Sequence, residues 1–438
     1  MRKPLSPDAV AVRHHNRGSS ARRPYVGEED VRIVLERLPK PLWSRLGDVV
    51  FRDHWRRGTL GYVSTRGRRD IVLCDLPTHL SLRKVCAKDG ISPEEFGAPS
   101  VGQWPPLAIR RYQLYGTLLH EIGHLQIVHL KNSNPRRKFA DEPKAEYFAQ
   151  EWRGRLWAKP FDHPDPAHNP PNGAELATLR SNWAEAHQLY RHQLKSENET
   201  RERNPDRHRD GRAIYQRAVD LFPQHSLALM KLGKSLYVMK DGDPFENAFE
   251  CFQRARFLDP WLPEASLCGG MCLGRLGRVD EMREWFARAI LLDQHHPLNR
   301  CVFAEELARN RQLEEAERLF RAILRKHPRH DYALRAYARF LYYKFKELRD
   351  DEAISCFRKL VEIKPNHYKN LVEFGHALVY AGTSCEALKV LTDAIQLCPN
   401  DPKAYELRRD VFLGLDREED AERDKETIGR LKESIGKT

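Results

Sequence analysis

The chain has 438 residues, a length that predicts two or three domains, and 74 Lys and Arg against 62 Asp and Glu give it a formal net charge of +12. No stretch approaches the roughly 18 apolar residues that span a membrane, and no apolar segment follows the first basic residues as it would in a secretory signal. Its nine cysteines form no C-x-x-C pair, so the composition excludes a membrane span and predicts a reduced, cytoplasmic protein.

Basic residues dominate the first 24 positions, which show almost no apolar periodicity. Only Asp8 opposes six cations there, namely Arg2, Lys3, Arg13, Arg17, Arg22 and Arg23. Such a composition cannot bury a core, so residues 1–24 are predicted to form a disordered basic arm. Binding of nucleic acid by this arm is the alternative to a solvated tail.

Residues 25–170 carry the patterns of a mixed α+β domain. β-branched and apolar residues cluster at residues 49–51, 60–64 and 70–74, which predicts three short strands. Helical periodicity then predicts long helices over residues 107–130 and 141–157.

The residue composition of the chain changes after this domain. Residues 159–173 contain five prolines, which fix φ and remove hydrogen-bond donors, so no helix continues through them. A helical stretch then leads into the charged run "SENETRERNPDRHRD". We therefore predict a helical and charged linker over residues 171–210.

From residue 211 onwards the sequence repeats itself with a period near 34 residues. Prolines close the units at positions 223, 260, 328, 365 and 399. Small residues recur at Gly233, Gly270, Ala304, Ala338 and Gly375, and large ones recur at Phe252, Phe286, Phe320 and Phe357. This frame resembles the tetratricopeptide repeat. The resemblance implies an all-α solenoid over residues 211–438, with a groove that binds a protein or peptide.

A separate motif lies in the apolar run "LLHEIGHLQIVHL", residues 118–130. His120 and His124 are four residues apart, so a helix places both imidazoles on one face, where they can share one tetrahedral zinc ion. Glu121 points off that axis, from which a carboxylate can take a proton from a zinc-activated water. Each position of H-E-x-x-H thus has a geometric role in metal-assisted hydrolysis.

The surroundings of the motif support a buried site. Apolar flanks predict a buried helix, on which ionisable groups are costly unless they are paired or bind something. Gly123 costs a helix interior about 1 kcal/mol relative to alanine, which suggests the close approach of a neighbouring element.

A second motif follows in "ADEPKAEYFAQEWR", where Glu142, Ala145, Glu146 and Ala149 spell E-x-x-A-E-x-x-A. Together the two motifs resemble the gluzincin metallopeptidases, among them the ImmA/IrrE and prenyl-protein-processing peptidases. The resemblance implies a zincin-like fold, zinc ligation by His120, His124 and Glu142, and Glu121 as the general base. It makes Glu146 a residue that orients a ligand histidine, with zinc ligation by Glu146 as the alternative.

The resemblance implies two further features of this region. Pro143 directly follows the proposed third ligand and is expected in the first turn of its helix. In gluzincins a sheet edge before the active helix pairs with extended substrate, and residues 70–77 are the candidate, with an ordinary buried strand as the alternative.

The leading hypothesis is therefore a Zn²⁺-dependent peptidase with an α+β zincin-like domain, followed by tetratricopeptide repeats that recruit a protein substrate. The alternative is a non-catalytic repeat scaffold or regulator whose zinc site is structural or decayed, and which is nucleic-acid-associated through its basic arm. A structural zinc site has no use for Glu121, which favours the peptidase.

Overall fold

The computed structural model of the chain describes residues 10–14, 22–52, 60–64, 69–77, 81–82, 86–87, 90–127, 135–159, 161–199, 211–238, 244–293, 296–345 and 348–435. The chain divides into two compact units, residues 1–272 and 273–438. The four predicted segments, 1–24, 25–170, 171–210 and 211–438, remain predictions, since residues 200–210 lie outside the described residues.

A mixed sheet forms one part of the first unit. The strands that the structure describes are β1 (Val12–His14), β2 (Arg22–Arg23), β3 (Val49–Arg52), β4 (Gly61–Val63), β5 (Ile71–Cys74) and β6 (Leu76–Pro77). Four of them form a sheet in the order β1-β3-β5-β4, in which only β4 runs antiparallel to its neighbour. Strand β5 is buried along its whole length, as its unbroken apolar sequence dictates for a strand with neighbours on both sides.

The sheet corrects one expectation. Within residues 70–77, strand β5 is not a sheet edge, because it pairs with β3 on one side and β4 on the other, while β6 pairs with β2 in a separate two-stranded sheet. The edge next to the H-E-x-x-H helix is β4.

Strands β1 and β2 lie within the predicted disordered arm, of which the structure describes residues 10–14 and 22–24. Order at Arg23 has a clear cause, because Arg23 Nη1 lies 2.6 Å from Oδ2 of the fully buried Asp259. The pairing neutralises the buried carboxylate of Asp259 and holds Arg23 in place.

Helices cover the sheet. Those before the repeats are α1 (Glu28–Arg37), α2 (Lys40–Trp43), α3 (Pro106–Tyr112), α4 (Leu119–Gln126), α5 (Pro135–Ala158) and α6 (Gly173–Glu199). A π-helical segment, Gln113–Leu118, joins α3 to α4, so the helix predicted over residues 107–130 is present up to Gln126 with a widened middle. Ile127 is extended, and residues 128–130 lie outside the described residues. Pro143 lies inside α5 and not in its first turn, because α5 begins eight residues earlier.

The remaining helices follow each other in packed pairs. They are α7 (Arg212–Leu221), α8 (Ser226–Tyr237), α9 (Pro244–Leu258), α10 (Pro263–Arg275), α11 (Val279–Leu292), α12 (Leu298–Arg309), α13 (Leu313–Lys326), α14 (Asp331–Lys344), α15 (Asp350–Ile363), α16 (Tyr368–Tyr380), α17 (Ser384–Leu397), α18 (Pro402–Leu413) and α19 (Glu418–Ile435). The recurrent small residues allow this packing, since a Cβ atom at Gly233 would lie 2.7 Å from the Phe252 ring. Among the described helices, none is both long and apolar enough to cross a membrane.

Candidate metal centre

Helices α4 and α5 meet at Gly123. A Cβ atom at this position would lie 2.9 Å from the carbonyl oxygen of Ala145 and 3.0 Å from its Cα atom, so the two backbones are nearly in contact. This confirms the close approach that Gly123 predicts. Because Ala145 lies between Glu142 and Glu146, the contact brings both carboxylates to the face of α4 that carries His120 and His124.

His120, His124 and Glu142 converge on one point. The two Nε2 atoms are 3.2 Å apart. Glu142 places Oε2 at 3.3 Å from Nε2 of His120, and Oε1 at 3.7 Å from Nε2 of His124. Both imidazoles are about one-fifth exposed and the Glu142 side chain is half exposed, so the group is reached from solvent.

Glu146 contacts the same histidine from the other side. Its Oε2 atom lies 3.1 Å from Nδ1 of His120, and its Oε1 atom accepts a hydrogen bond of 3.3 Å from Nε2 of Gln150. The two glutamates therefore differ in position: Glu142 faces the Nε2 atoms of both histidines, whereas Glu146 holds the opposite ring nitrogen of one. Gln150 was not predicted, although its spacing of four from Glu146 on a helix is a signal that could have found it.

The donor atoms suit a zinc ion. Zinc in a tetrahedral site takes imidazole nitrogen and carboxylate oxygen at about 2.0–2.2 Å, which separates neighbouring ligand atoms by roughly 3.3 Å. The three separations of 3.2, 3.3 and 3.7 Å are close to that value. Assignment of these residues as zinc ligands, and the choice between Glu142 and Glu146, remain predictions.

The electrostatics of the cluster favour a cation at His120. Burial lowers the pKa of His120, but hydrogen bonds with Glu142 and Glu146 outweigh burial and raise this pKa to about 10. In the absence of a metal, a proton on His120 is thus the charge that balances the carboxylates. A divalent ion could take the place of that proton.

Glu121 lies beside the cluster on the sheet side of α4. Its side chain is buried, and burial together with the nearby Glu142 raises the pKa of Glu121 to about 7, against the opposing effects of His120 and of a backbone hydrogen bond from Val63 in β4. A carboxylate with a pKa near neutrality can both accept and donate a proton at physiological pH.

A second group of similar residues lies deeper in the first unit. Asp30, Asp165 and His168 bring ligand-type atoms as close together as those of the metal centre. Here, however, Arg110 is bonded to both carboxylates, with Nη2 at 3.0 Å from Asp30 Oδ1 and 2.5 Å from Asp165 Oδ2. We call these four residues the arginine cluster. His168 ends a short 3-10 turn and is fully buried.

Comparison with known proteins identifies the repeats. Residues 301–368 match the tetratricopeptide repeat family. No curated protein matches the chain.

Among solved structures, yeast Tom70 is 14% identical with a TM-score of 0.43, over 74% of this chain and 76% of Tom70. YrrB, described as a tetratricopeptide repeat protein with an unusual peptide-binding site, is 18% identical with a TM-score of 0.30, over 44% of this chain and 97% of YrrB. PilW, a type IV pilus biogenesis factor, is 18% identical with a TM-score of 0.39, over 51% and 97% of the two chains.

The repeat region is thus an all-α solenoid of the tetratricopeptide type, as predicted from its period. Such repeats suggest a scaffold for protein–protein interaction, and the comparisons give no sign of a peptidase domain. The structural likenesses, with TM-scores below 0.5, carry no argument about activity.

Proposed function

We propose that the protein is a zinc-dependent peptidase whose tetratricopeptide repeats recruit a protein substrate. The observation that carries the proposal is the convergence of His120, His124 and Glu142 on one point with separations of 3.2–3.7 Å, next to a buried Glu121. A two-histidine, one-carboxylate set leaves a fourth coordination position open, as hydrolytic zinc sites require.

Each residue would have a separate role. Zinc in such a site supplies Lewis acidity, which activates water and polarises a carbonyl group. Glu121 would take the proton of the attacking water and return it to the leaving amine, a cycle for which a pKa of about 7 is suited. Glu146 would fix the ring of His120 through Nδ1, and Gln150 in turn fixes Glu146.

The edge strand β4 offers a place for the substrate backbone. Among the described strands it lies at the end of the sheet, with β5 on one side only, and its Val63 N–H bonds to Glu121. An extended peptide that adds to this edge would therefore pass the proposed base and the metal ligands.

The alternative is a scaffold without peptidase activity, and the repeat-family match favours it. In that case the repeats alone would define the function, and the histidine–glutamate cluster would at most stabilise the first unit. The two hypotheses differ in what they require of Glu121, which a scaffold does not need.

The decisive experiment is Glu121→Gln, which keeps size and hydrogen bonding but removes the base. New protein N-termini would be quantified in cells that express wild type or the variant, with Glu94→Gln, at an exposed ion pair in the same unit, as the matched control. We expect a set of new N-termini to appear equally with wild type and with Glu94→Gln. With Glu121→Gln, the abundance of these N-termini should be lower by about 100- to 10,000-fold. Equal cleavage by wild type and Glu121→Gln would refute the proposed mechanism, and no cleavage by any of the three would favour the scaffold.

A further inference from the structure

Two arginines converge on the carboxyl end of α4. Nη1 of Arg45 lies 3.4 Å from the carbonyl oxygen of Leu125, and Nη1 of Arg69 lies 3.5 Å from the same oxygen. The two guanidinium nitrogens are thus within about 7 Å of each other, near enough for one carboxylate to bond both. Arg45 is exposed and Arg69 is partly exposed, so this pair can be reached from solvent.

The carbonyl explains only part of this arrangement. A helix carboxyl end carries about half a negative charge, which attracts one cation. Two guanidinium groups together carry ten N–H donors, and the contacts of 3.4 and 3.5 Å to one shared oxygen are long. Most of their donors are therefore left for another acceptor.

No carboxylate within the described part of the chain pairs with either arginine. The nearest in sequence is Asp70, whose Oδ1 atom accepts a 2.9 Å hydrogen bond from the backbone N–H of Asp48. This pair contrasts with Arg110, Arg153 and Arg180 in the same unit, each of which has an acidic partner within 3.0 Å. Two adjacent guanidinium groups that share one neutral acceptor present their remaining donors to an anionic ligand.

The position of the pair relates it to the metal centre. Leu125 directly follows His124, so the guanidinium groups lie on the order of 10 Å from the ligand nitrogens, given the rise and radius of an α-helix. Arg69 also lies just before β5, beside the point where β4 ends, since the N–H of Ser64 bonds to the carbonyl of Asp70. A peptide extended along β4 covers that distance in about three residues.

We propose that Arg45 and Arg69 form a carboxylate-binding subsite at the carboxyl end of α4, beside the metal centre, and that the peptidase prefers substrates with a carboxylate about three residues from the bond it cleaves. The substrate preference rests on the proposed function, whereas the binding of a carboxylate depends only on the two arginines. The carboxylate comes from an acidic side chain or from the C-terminus of the substrate, and both present the same pair of oxygens to two guanidinium groups.

Binding of labelled peptides to the full chain with Glu121→Gln tests this without any need for cleavage. Three 10-residue peptides would be compared by fluorescence anisotropy: one with a central Glu and an amidated C-terminus, one with Gln and a free C-terminus, and one with Gln and an amidated C-terminus. We expect one of the first two to bind about 10- to 100-fold more tightly than the third, which also identifies the source of the carboxylate.

The preference must disappear in the double variant Arg45→Gln/Arg69→Gln. Its matched control is Arg155→Gln/Arg180→Gln, which removes the same charge from two exposed ion pairs of the same unit and should keep the preference. Equal thermal unfolding of the two double variants would exclude misfolding as the cause, since glutamine still offers an N–H to the Leu125 carbonyl.

The outcomes separate this inference from the proposed function. Cleavage in cells that depends on Glu121 but is indifferent to both arginines would overturn the subsite and leave the peptidase intact. A carboxylate preference that requires both arginines, in a protein without cleavage, would support the subsite and refute the peptidase. Equal binding of all three peptides would overturn the subsite. The subsite would also be overturned if a DNA oligonucleotide displaced every peptide from the protein and failed to do so only in the Arg45→Gln/Arg69→Gln variant. The two arginines would then bind phosphate.

Discussion

The metal centre and the arginine cluster contain the same kinds of side chain and behave as opposites. In the metal centre, two histidines and two glutamates meet, and the cation that contacts both glutamates among the described residues is the protonated His120. In the arginine cluster, two aspartates and a histidine meet around the guanidinium of Arg110, which is 1% exposed. In both groups, ligand atoms from three residues lie within 4.8 Å of one another.

The comparison teaches that the charge balance, and not the presence of ligand atoms, separates a metal site from a structural ion pair. Arg110 holds the pKa of Asp30 below its ordinary value against the effect of burial, with help from His168 and the Gly27 backbone. A metal ion there would have to displace a guanidinium that already neutralises the carboxylates. In the metal centre it need only displace a proton.

The largest expected effect is on metal content. Wild type should carry about one zinc per chain, and His124→Ala should carry none, because two ligands do not hold the ion. His168→Asn, in the arginine cluster, should keep a full complement. Elemental analysis of the three purified proteins measures their zinc content directly. Zinc retained in His124→Ala would show that the metal centre does not bind zinc through His124.

For the free energy of unfolding, a substitution in the arginine cluster should have a larger effect than one in the metal centre. Arg110→Met leaves Asp30 and Asp165 without their cation in the interior, and loss of one partner of a buried pair costs about 3–5 kcal/mol of unfolding free energy. Glu142→Gln, at a half-exposed position, should change the unfolding free energy of the metal-free protein by less than about 1 kcal/mol. Urea denaturation monitored by tryptophan fluorescence decides between them, and a larger loss for Glu142→Gln would contradict the assignment of roles.

A smaller effect separates the two glutamates of the metal centre. Glu146→Gln removes the carboxylate behind His120 but no atom that faces His124, so zinc affinity should fall by about 10- to 100-fold. Glu142→Gln should lower it further. Competition with a chromophoric chelator gives both constants, and the reverse order would make Glu146 the third ligand, as the second E-x-x-A allows.

His225 sharpens the comparison as a buried histidine that faces no carboxylate. Its Nδ1 atom accepts the N–H of Ala228 at the start of α8, and its Nε2 atom lies 3.3 Å from His187. Burial, together with His187, lowers the pKa of His225 from 6.5 to about 3. Because the folded pKa lies below the unfolded one, the stabilisation is complete above about pH 6.5 and is lost as the pH falls towards 3.

Between pH 7 and pH 5 this group should account for about 1–2 kcal/mol of lost unfolding free energy. His225→Asn keeps a side chain that caps the helix but does not titrate, so its unfolding free energy should depend less on pH over that range. Urea titrations at both pH values measure the difference, and an unchanged pH dependence would show that other groups titrate there.

The parts that the sequence predicts are those set by short spacings. His120 and His124 meet because four residues make about one helical turn, and the repeat helices pair because small and large residues alternate with the period of one unit. The strands predicted at residues 49–51, 60–64 and 70–74 agree with β3, β4 and β5 to within one residue at each end.

The parts that escape prediction depend on pairs far apart in the chain. Asp30 meets His168 across 138 positions, and Arg23 meets Asp259 across more than 200, with no local pattern to announce either contact. The strand order also depends on distant residues, since β1 and β3 pair in parallel although α1 and α2 lie between them in the sequence. The clearest sequence signal for these contacts is a polar residue in an apolar run, such as Arg110 in "PPLAIRRYQLYG", which must find a partner once it is buried.

The contact of the amino-terminal segment with the turn between α9 and α10 has an evolutionary consequence. Gly27 lies so close to Trp261 that a Cβ atom would fall 2.0 Å from the indole, and Asp259 in the same turn receives Arg23. Solenoids commonly gain and lose whole repeats by recombination, because each repeat touches only its neighbours. Here the turn at residues 259–261 is tied to residues 23–27, so its repeat cannot be duplicated or deleted without loss of that contact. Length variation among descendants of this chain should therefore concentrate after residue 272, and substitutions at Gly27 and Trp261 should occur together.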